Sequence, residues 1–191
     1  VASYLKQISG ADIRVVAEKQ APPGIRIDVG PTRNAQLYFP DSLIGDEERV
    51  LVRTVPGGVI ICGGGDRGTL YAAYRFLESL GCRWLTPESE NELIPQTRTV
   101  RLSNLNIDTR PAFTWRLFSA SSPELETWGL KMGFNGLYQP ETATANGGSF
   151  YWPREVPGVH SFAQIMPSSR YFQPHPEWYS PLNGKREAAG Q

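Results

Sequence analysis

Residues 49–64 read RVLVRTVPGGVIICGG. Two β-branched runs flank Pro56-Gly57-Gly58, a breaker too short for anything but a tight reversal. This pattern predicts an antiparallel hairpin. A helical pattern follows. Leu70, Ala73, Tyr74 and Leu77 make one apolar stripe, widened by Phe76 and Leu80. Thr69 or Asp66 is placed to cap the start of this helix, and Gly81 stands where a left-handed C-terminal residue belongs. Whatever fold the chain takes must hold a hairpin that runs directly into a helix.

The rest of the chain is read around that unit. Val1, Tyr4, Leu5 and Ile8 share one helical face, with Gly10 as the C-terminal stop. The runs 13–18 and 25–30 read as strands divided by Ala21-Pro22-Pro23-Gly24, and 35–39 as a third short strand. Residues 82–87 read as a short extended piece and 99–107 as a strand. After Asp108 the rhythm changes to strand (112–119), helix (122–133) and strand (134–139). Ser122 serves as N-cap and Pro123 takes the first helical position. Strand, helix, strand is how a parallel α/β unit begins. The boundary is set near Asp108, giving regions 1–107 and 108–191. The stretch from 139 on has long-loop composition.

Gly63, Gly65 and Gly68 spell the G-x-G-x-x-G of a dinucleotide turn, and Glu88 follows Gly68 by twenty residues. Against that reading, the preceding strand belongs to a hairpin, and Asp66 would face a phosphate. A P-loop is excluded because no lysine follows Gly68. The plainer reading is a strand-to-helix turn in which glycines permit close backbone packing. A parallel βαβ at 59–85 would favour the nucleotide, a hairpin at 49–63 the plainer turn.

Lys plus Arg equal Asp plus Glu at 19 each, so the chain lacks the basic footprint of a nucleic-acid binder. No apolar run reaches the roughly 18 residues of a membrane span. Cys62 and Cys82 read as buried apolar residues rather than a bridge. The start at Val1 and the end in GKREAAGQ read as those of a mature form or an excised fragment.

The segment GGGDRGTLYAAYRFLESLGCRWLTP resembles the accessory N-terminal domain that precedes the barrel of β-N-acetylhexosaminidases and α-glucuronidases, most closely an uncharacterised bacterial group of α-glucuronidase type. YLKQISGADIRV resembles the first helix and following strand of those domains, although their initial strand is missing. RPAFTWR resembles the entry into the barrel, and HSFAQIMPSSRYFQPHPEWYSPLNGKR an early barrel stretch. The resemblance implies an α+β accessory domain, with a mixed, largely antiparallel sheet and helices on one face that pack on the barrel. The first strands of an incomplete (β/α)8 barrel follow. It implies a periplasmic or secreted bacterial glycoside hydrolase with a carbohydrate partner, no cofactor and no metal. Such enzymes use two carboxylates about 5–10 Å apart, which the resemblance places further along the barrel. The 191 residues are therefore expected to show no turnover on their own.

Within the chain, Arg116 matches an arginine that holds sugar hydroxyls in the hexosaminidase relatives; an internal salt bridge is the competing role. Tyr138, Gln139 and His160 are the other candidate sugar contacts. Asn135 reads as a turn cap more than a ligand contact. His175 and Glu177 carry acid–base chemistry, but sit in the proline-locked PHPEW. No third ligand is spaced to join His160 and His175 on a metal. Trp115, Trp128, Trp152, Trp178, Tyr151 and Tyr171 suit either sugar stacking or ordinary packing. Two further readings stay open: a non-catalytic carbohydrate-binding or structural module, and a nucleotide-binding α/β domain.

Overall fold

The computed structural model describes residues 1–40, 46–117, 122–136 and 162–188. Two compact units divide the chain, 1–150 and 151–191.

In the first unit the hairpin forms as expected. Strands β2 (Val50–Val55) and β3 (Gly58–Gly63) pair antiparallel, with Val52 opposite Ile61. Strand β1 (Arg26–Val29) joins β3 in parallel, and β6 (Asn106–Thr109) joins β2 antiparallel. The result is a mixed, mostly antiparallel sheet of order β1-β3-β2-β6. With its helices it makes an α+β fold. A short pair, β4 (Arg83–Trp84) and β5 (Glu92–Leu93), lies apart from this sheet.

Both faces of the central hairpin are buried, because both alternating sets of side chains are apolar. Val50, Val52, Val59 and Ile61 face helix α3 (Asp66–Ser79) and helix α1 (Ala2–Ser9), where Leu5, Ile8, Tyr71, Ala72, Phe76 and Leu77 complete the main core. Leu51, Ile60 and Cys62 face the other way, against Ala35 and Phe39. Burial pushes the Cys62 thiol up to about 11, and both cysteines are free.

Ala35 lies on helix α2 (Arg33–Tyr38), which corrects two expectations. Residues 35–38 are helical rather than extended, because the Thr32 hydroxyl accepts from the Ala35 N–H at 3.1 Å and caps the helix start. Helices therefore cover both faces of the sheet, not one. A third correction concerns 13–18. Residues 13–17 form no strand, and 18–20 make a short 3-10 turn. The run has β-branched residues but no ladder partner, and Val15 is 81% exposed. β-propensity without a neighbouring strand leaves backbone groups to water. The expected strand at 99–107 is also shorter than read. Val100 and Leu102 pack on the core outside any strand, the Leu105 carbonyl accepts from the Thr54 N–H at 3.0 Å, and the strand itself is confined to Asn106–Thr109.

Helix α3 is rotated from the expected stripe. Arg67, Gly68, Tyr71, Ala72, Phe76 and Leu77 are its buried positions, while Leu70, Ala73 and Tyr74 flank them. Neither Thr69 nor Asp66 is the N-cap. Gly65 is, and the Thr69 hydroxyl donates to its carbonyl at 2.9 Å while accepting from the Gly63 N–H at 3.1 Å. Gly81 adopts φ 98° and its N–H closes the helix on the Glu78 carbonyl.

Helix α4 (Pro123–Lys131) starts as read: the Ser122 hydroxyl accepts from the Leu125 N–H at 3.3 Å, with Pro123 in the first turn. Leu130 enters the main core. Around Trp84, its indole donates to the Tyr4 hydroxyl at 2.8 Å, Tyr4 donates to Glu92 at 2.9 Å, and Lys131 pairs with Glu92. This chain of contacts ties α1, β4, β5 and α4 together. The flanks of α4 are not strands: residues 112–117 and 134–136 are irregular.

In the second unit, helices α5 (Phe162–Ile165) and α6 (Ser168–Tyr171) precede a turn at Pro176–Trp178. Strands β7 (Pro181–Leu182) and β8 (Lys185–Arg186) pair across Asn183-Gly184, with φ of 50° and 78°. Two left-handed residues in succession are what a type I′ two-residue hairpin turn requires.

Candidate functional site

The glycine-rich turn is filled by the protein's own backbone. A Cβ on Gly64 would lie 1.7 Å from the Asp46 carbonyl oxygen, one on Gly63 2.2 Å from Gly68, and one on Gly68 2.4 Å from the Arg49 carbonyl oxygen. The Gly68 N–H, in the first turn of α3, donates to the Glu47 carbonyl at 2.8 Å. A pyrophosphate would need this position. With the antiparallel hairpin before them, these glycines work as close-approach points for the 46–49 segment.

That segment places Glu48 under α3, in a seam of directed polar contacts. The Glu48 carboxylate is 12% exposed and receives Arg116 Nη2 at 2.8 Å. The amide of Asn135, which is fully buried, donates to the same carboxylate at 3.0 Å and to the Thr114 carbonyl at 2.7 Å. Arg67, 4% exposed, has Nε 3.8 Å from Glu48 and donates from Nη1 to the Asn135 carbonyl at 3.1 Å. The Tyr71 hydroxyl donates to the Phe134 carbonyl at 2.8 Å. Burial keeps this phenol's pKa above its ordinary value, so it remains a donor.

Arg116 thus commits all three guanidinium nitrogens within the protein: Nη2 to Glu48, Nε to the Gly133 carbonyl at 2.7 Å and Nη1 to the Phe113 carbonyl at 2.6 Å. These contacts are those of the internal salt bridge weighed against sugar binding. Asn135 is likewise a buried organiser, not a surface cap. Its N–H donates to the Arg116 carbonyl at 2.8 Å, and its side-chain oxygen accepts from the Arg116 N–H at 2.9 Å. Tyr138, Gln139 and His160 lie outside the described residues. His175 stacks on Trp178 at 3.9 Å between ring centroids and 3° between planes, and its Nδ1 is 3.2 Å from Glu177. Its neighbour Arg186 donates to the Glu177 carbonyl at 3.1 Å. The PHPEW segment is held by local contacts.

Beside the seam lies a cleft of about 160 Å³. Tyr71, Tyr74 and Arg75 of α3 form one side, Arg110 and Arg116 another, and Lys131 closes the C-terminal end of α4. A larger groove of about 1000 Å³ runs between 13–29 and α3, with mainly apolar walls that include Leu5, Val15, Ile25 and Leu70. Charged groups converge on the smaller cleft. Among the described residues no group of three or more His, Cys, Asp or Glu side chains is placed to hold a metal ion. No described helix is long and apolar enough to cross a membrane.

Glu48 was not visible as a site residue in the sequence. Its one local signal is that it shares the two-residue alternation of Val50 and Val52, which face α3.

The fold and the seam together define an α+β domain whose sheet and third helix grip the chain on both sides of α4. Residues 86–190 match the family described as a domain of unknown function, DUF4838, and the chain belongs to that family. No curated protein and no solved structure matches the chain.

Proposed function

We propose that the chain is a region of a bacterial glycoside hydrolase in which the α+β domain is a structural support for the start of a (β/α)8 barrel. One observation carries this reading. The segments on either side of α4 lie side by side, joined by the Asn135 N–H to the Arg116 carbonyl at 2.8 Å, and both are anchored to Glu48. In a barrel each strand is followed by a helix and the next strand lies beside the first; these segments stand in that order and side by side, though as irregular chain rather than paired strands. The resemblance of the RPAFTWR stretch to a barrel entry falls on the same residues. The carbohydrate partner and the periplasmic or secreted location belong to this proposal, as does the rest of the barrel as a partner. The catalytic carboxylates would stand outside these residues, since a barrel gathers its catalytic groups from several later strands.

The test uses a protein in which this domain is followed by further chain, alongside the 191-residue chain itself. Assayed on aryl uronides and aryl N-acetylhexosaminides, the longer protein is expected to release the aryl alcohol and the shorter chain is not. A longer protein inactive on every aryl glycoside overturns the hydrolase reading. Turnover by the shorter chain overturns the supporting role. Calorimetry of the shorter chain with uronate and N-acetylhexosamine oligosaccharides separates support from a carbohydrate-binding module, for which heat of binding is expected.

A further inference from the structure

We propose that the cleft between α3, the end of β6 and the C-terminal end of α4 binds the carboxylate or phosphate group of a small ligand. The inference rests on the cleft alone and is independent of the hydrolase reading. Four of its lining side chains are cationic, Arg75, Arg110, Arg116 and Lys131, and among the described residues no acidic side chain lines it. Each is ion-paired, to Glu78, Asp46, Glu48 and Glu92 respectively, and none of these four acids lines the cleft. The cleft surface is therefore of one sign although the neighbourhood is balanced.

The cations divide into two kinds. Arg116 and Lys131 are fixed and 16% exposed, held by the contacts already described. Arg75 and Arg110 are 55% and 61% exposed. Each spends one nitrogen on its acid: Arg75 Nη1 lies 2.7 Å from Glu78, and Arg110 Nε lies 2.9 Å from Asp46. A guanidinium carries five N–H donors in a planar fork. Both residues keep donors that match two oxygens of a carboxylate or phosphate. The Gly133 carbonyl, whose helix-end dipole would oppose an anion, is already capped by Arg116 Nε. The rings of Tyr71 and Tyr74 lower the local dielectric and strengthen these interactions. At about 160 Å³ the space suits an anionic head group of a few heavy atoms rather than a dinucleotide.

Inorganic phosphate, glucuronate and glucose are titrated into the ¹⁵N-labelled chain at low salt. Phosphate or glucuronate is expected to shift the backbone amides of 71–75 and 109–110, with millimolar affinity on the order of −4 kcal/mol, and glucose is expected to shift none. Glucuronate alone would assign a carboxylate source, and phosphate alone a phosphoryl source. The variant Arg75→Gln/Arg110→Gln, which alters two exposed side chains, is expected to bind about tenfold more weakly with an unchanged amide spectrum elsewhere. Shifts confined to other surfaces, glucose binding equal to glucuronate binding, no binding by either anion, or undiminished binding by the double variant would each overturn the site.

Discussion

The core beneath α3 and the seam around Glu48 share one helix and use it in opposite ways. The core takes Ala72, Phe76 and Leu77 from α3 and packs them on Val52, Val59 and Ile61. Its contacts are apolar and non-directional, so its stability follows the area removed from water. The seam takes Arg67 and Tyr71 from the same helix and spends them on named atoms of Glu48, Asn135 and Phe134. Burying those groups is costly unless every bond is made. The core therefore supplies stability, and the seam fixes which chain segment docks on α3 and in what register.

The comparison breaks most visibly at Phe76, which is fully buried. Phe76→Ala removes its core contacts and leaves a cavity, with an expected loss of about 3–5 kcal/mol. Chemical denaturation should show a lower midpoint, while the amide pattern of 113–117 and 134–136 persists wherever the variant is folded. Glu48→Ala should do the reverse. It leaves Arg67, Arg116 and the Asn135 amide without their shared carboxylate, at an expected cost of about 2–4 kcal/mol after allowing for partial exposure. The change should appear first as faster amide exchange in 113–117 and 134–136. A double-mutant cycle with Asn135→Ala sharpens the contrast. The two sites should couple by about 0.5–3 kcal/mol, whereas Phe76 and Asn135 should add. Additivity between Glu48 and Asn135 would show that the seam is not one unit.

The two regions also differ in how much of them the sequence disclosed. The hairpin was legible because Pro56-Gly57-Gly58 and its flanking runs are local signals, and so were the ends of α1, α3 and α4, marked by Gly10, Gly81 and Ser122-Pro123. The α2 segment was misread because the alternation in AQLYF outweighed the cap at Thr32, three residues before the alanine that enters the core. The 13–18 run was misread because propensity does not say whether a partner strand is present. Of the seam, Arg116 was legible through a family resemblance and Asn135 only as a turn cap. Its partner Glu48 lies 68 residues away, and the Asn135–Glu48 bond spans 87. A directed contact across such a separation leaves no periodicity at either end. The same limit applies to the cleft, whose lining residues come from 50 to 133 along the chain.

Smaller effects test the edges of each region. Thr32→Ala removes the cap of α2 and should cost about 1 kcal/mol, read as a lower denaturation midpoint; loss of the α2 face should leave the α3 face and the seam intact. The smallest expected effect is electrostatic. Arg49 Nε and Nη2 each lie 2.8 Å from a carboxylate oxygen of Asp108, a bidentate pair joining the start of β2 to β6. Hydrogen bonding from Arg49 holds the Asp108 pKa below its ordinary value. A carboxyl with a lower pKa folded than unfolded adds stability that is complete above the unfolded pKa of about 3.9 and is lost as pH falls through the folded value. The wild-type chain should therefore lose this contribution only below about pH 4. Asp108 is 40% exposed, so solvent screening keeps the effect small. Asp108→Asn should lower stability slightly at pH 7 and match wild type near pH 2, with the difference shrinking in high salt. A deficit that persists at pH 2 would mean that Asp108 acts through hydrogen-bond geometry in the sheet rather than through its charge.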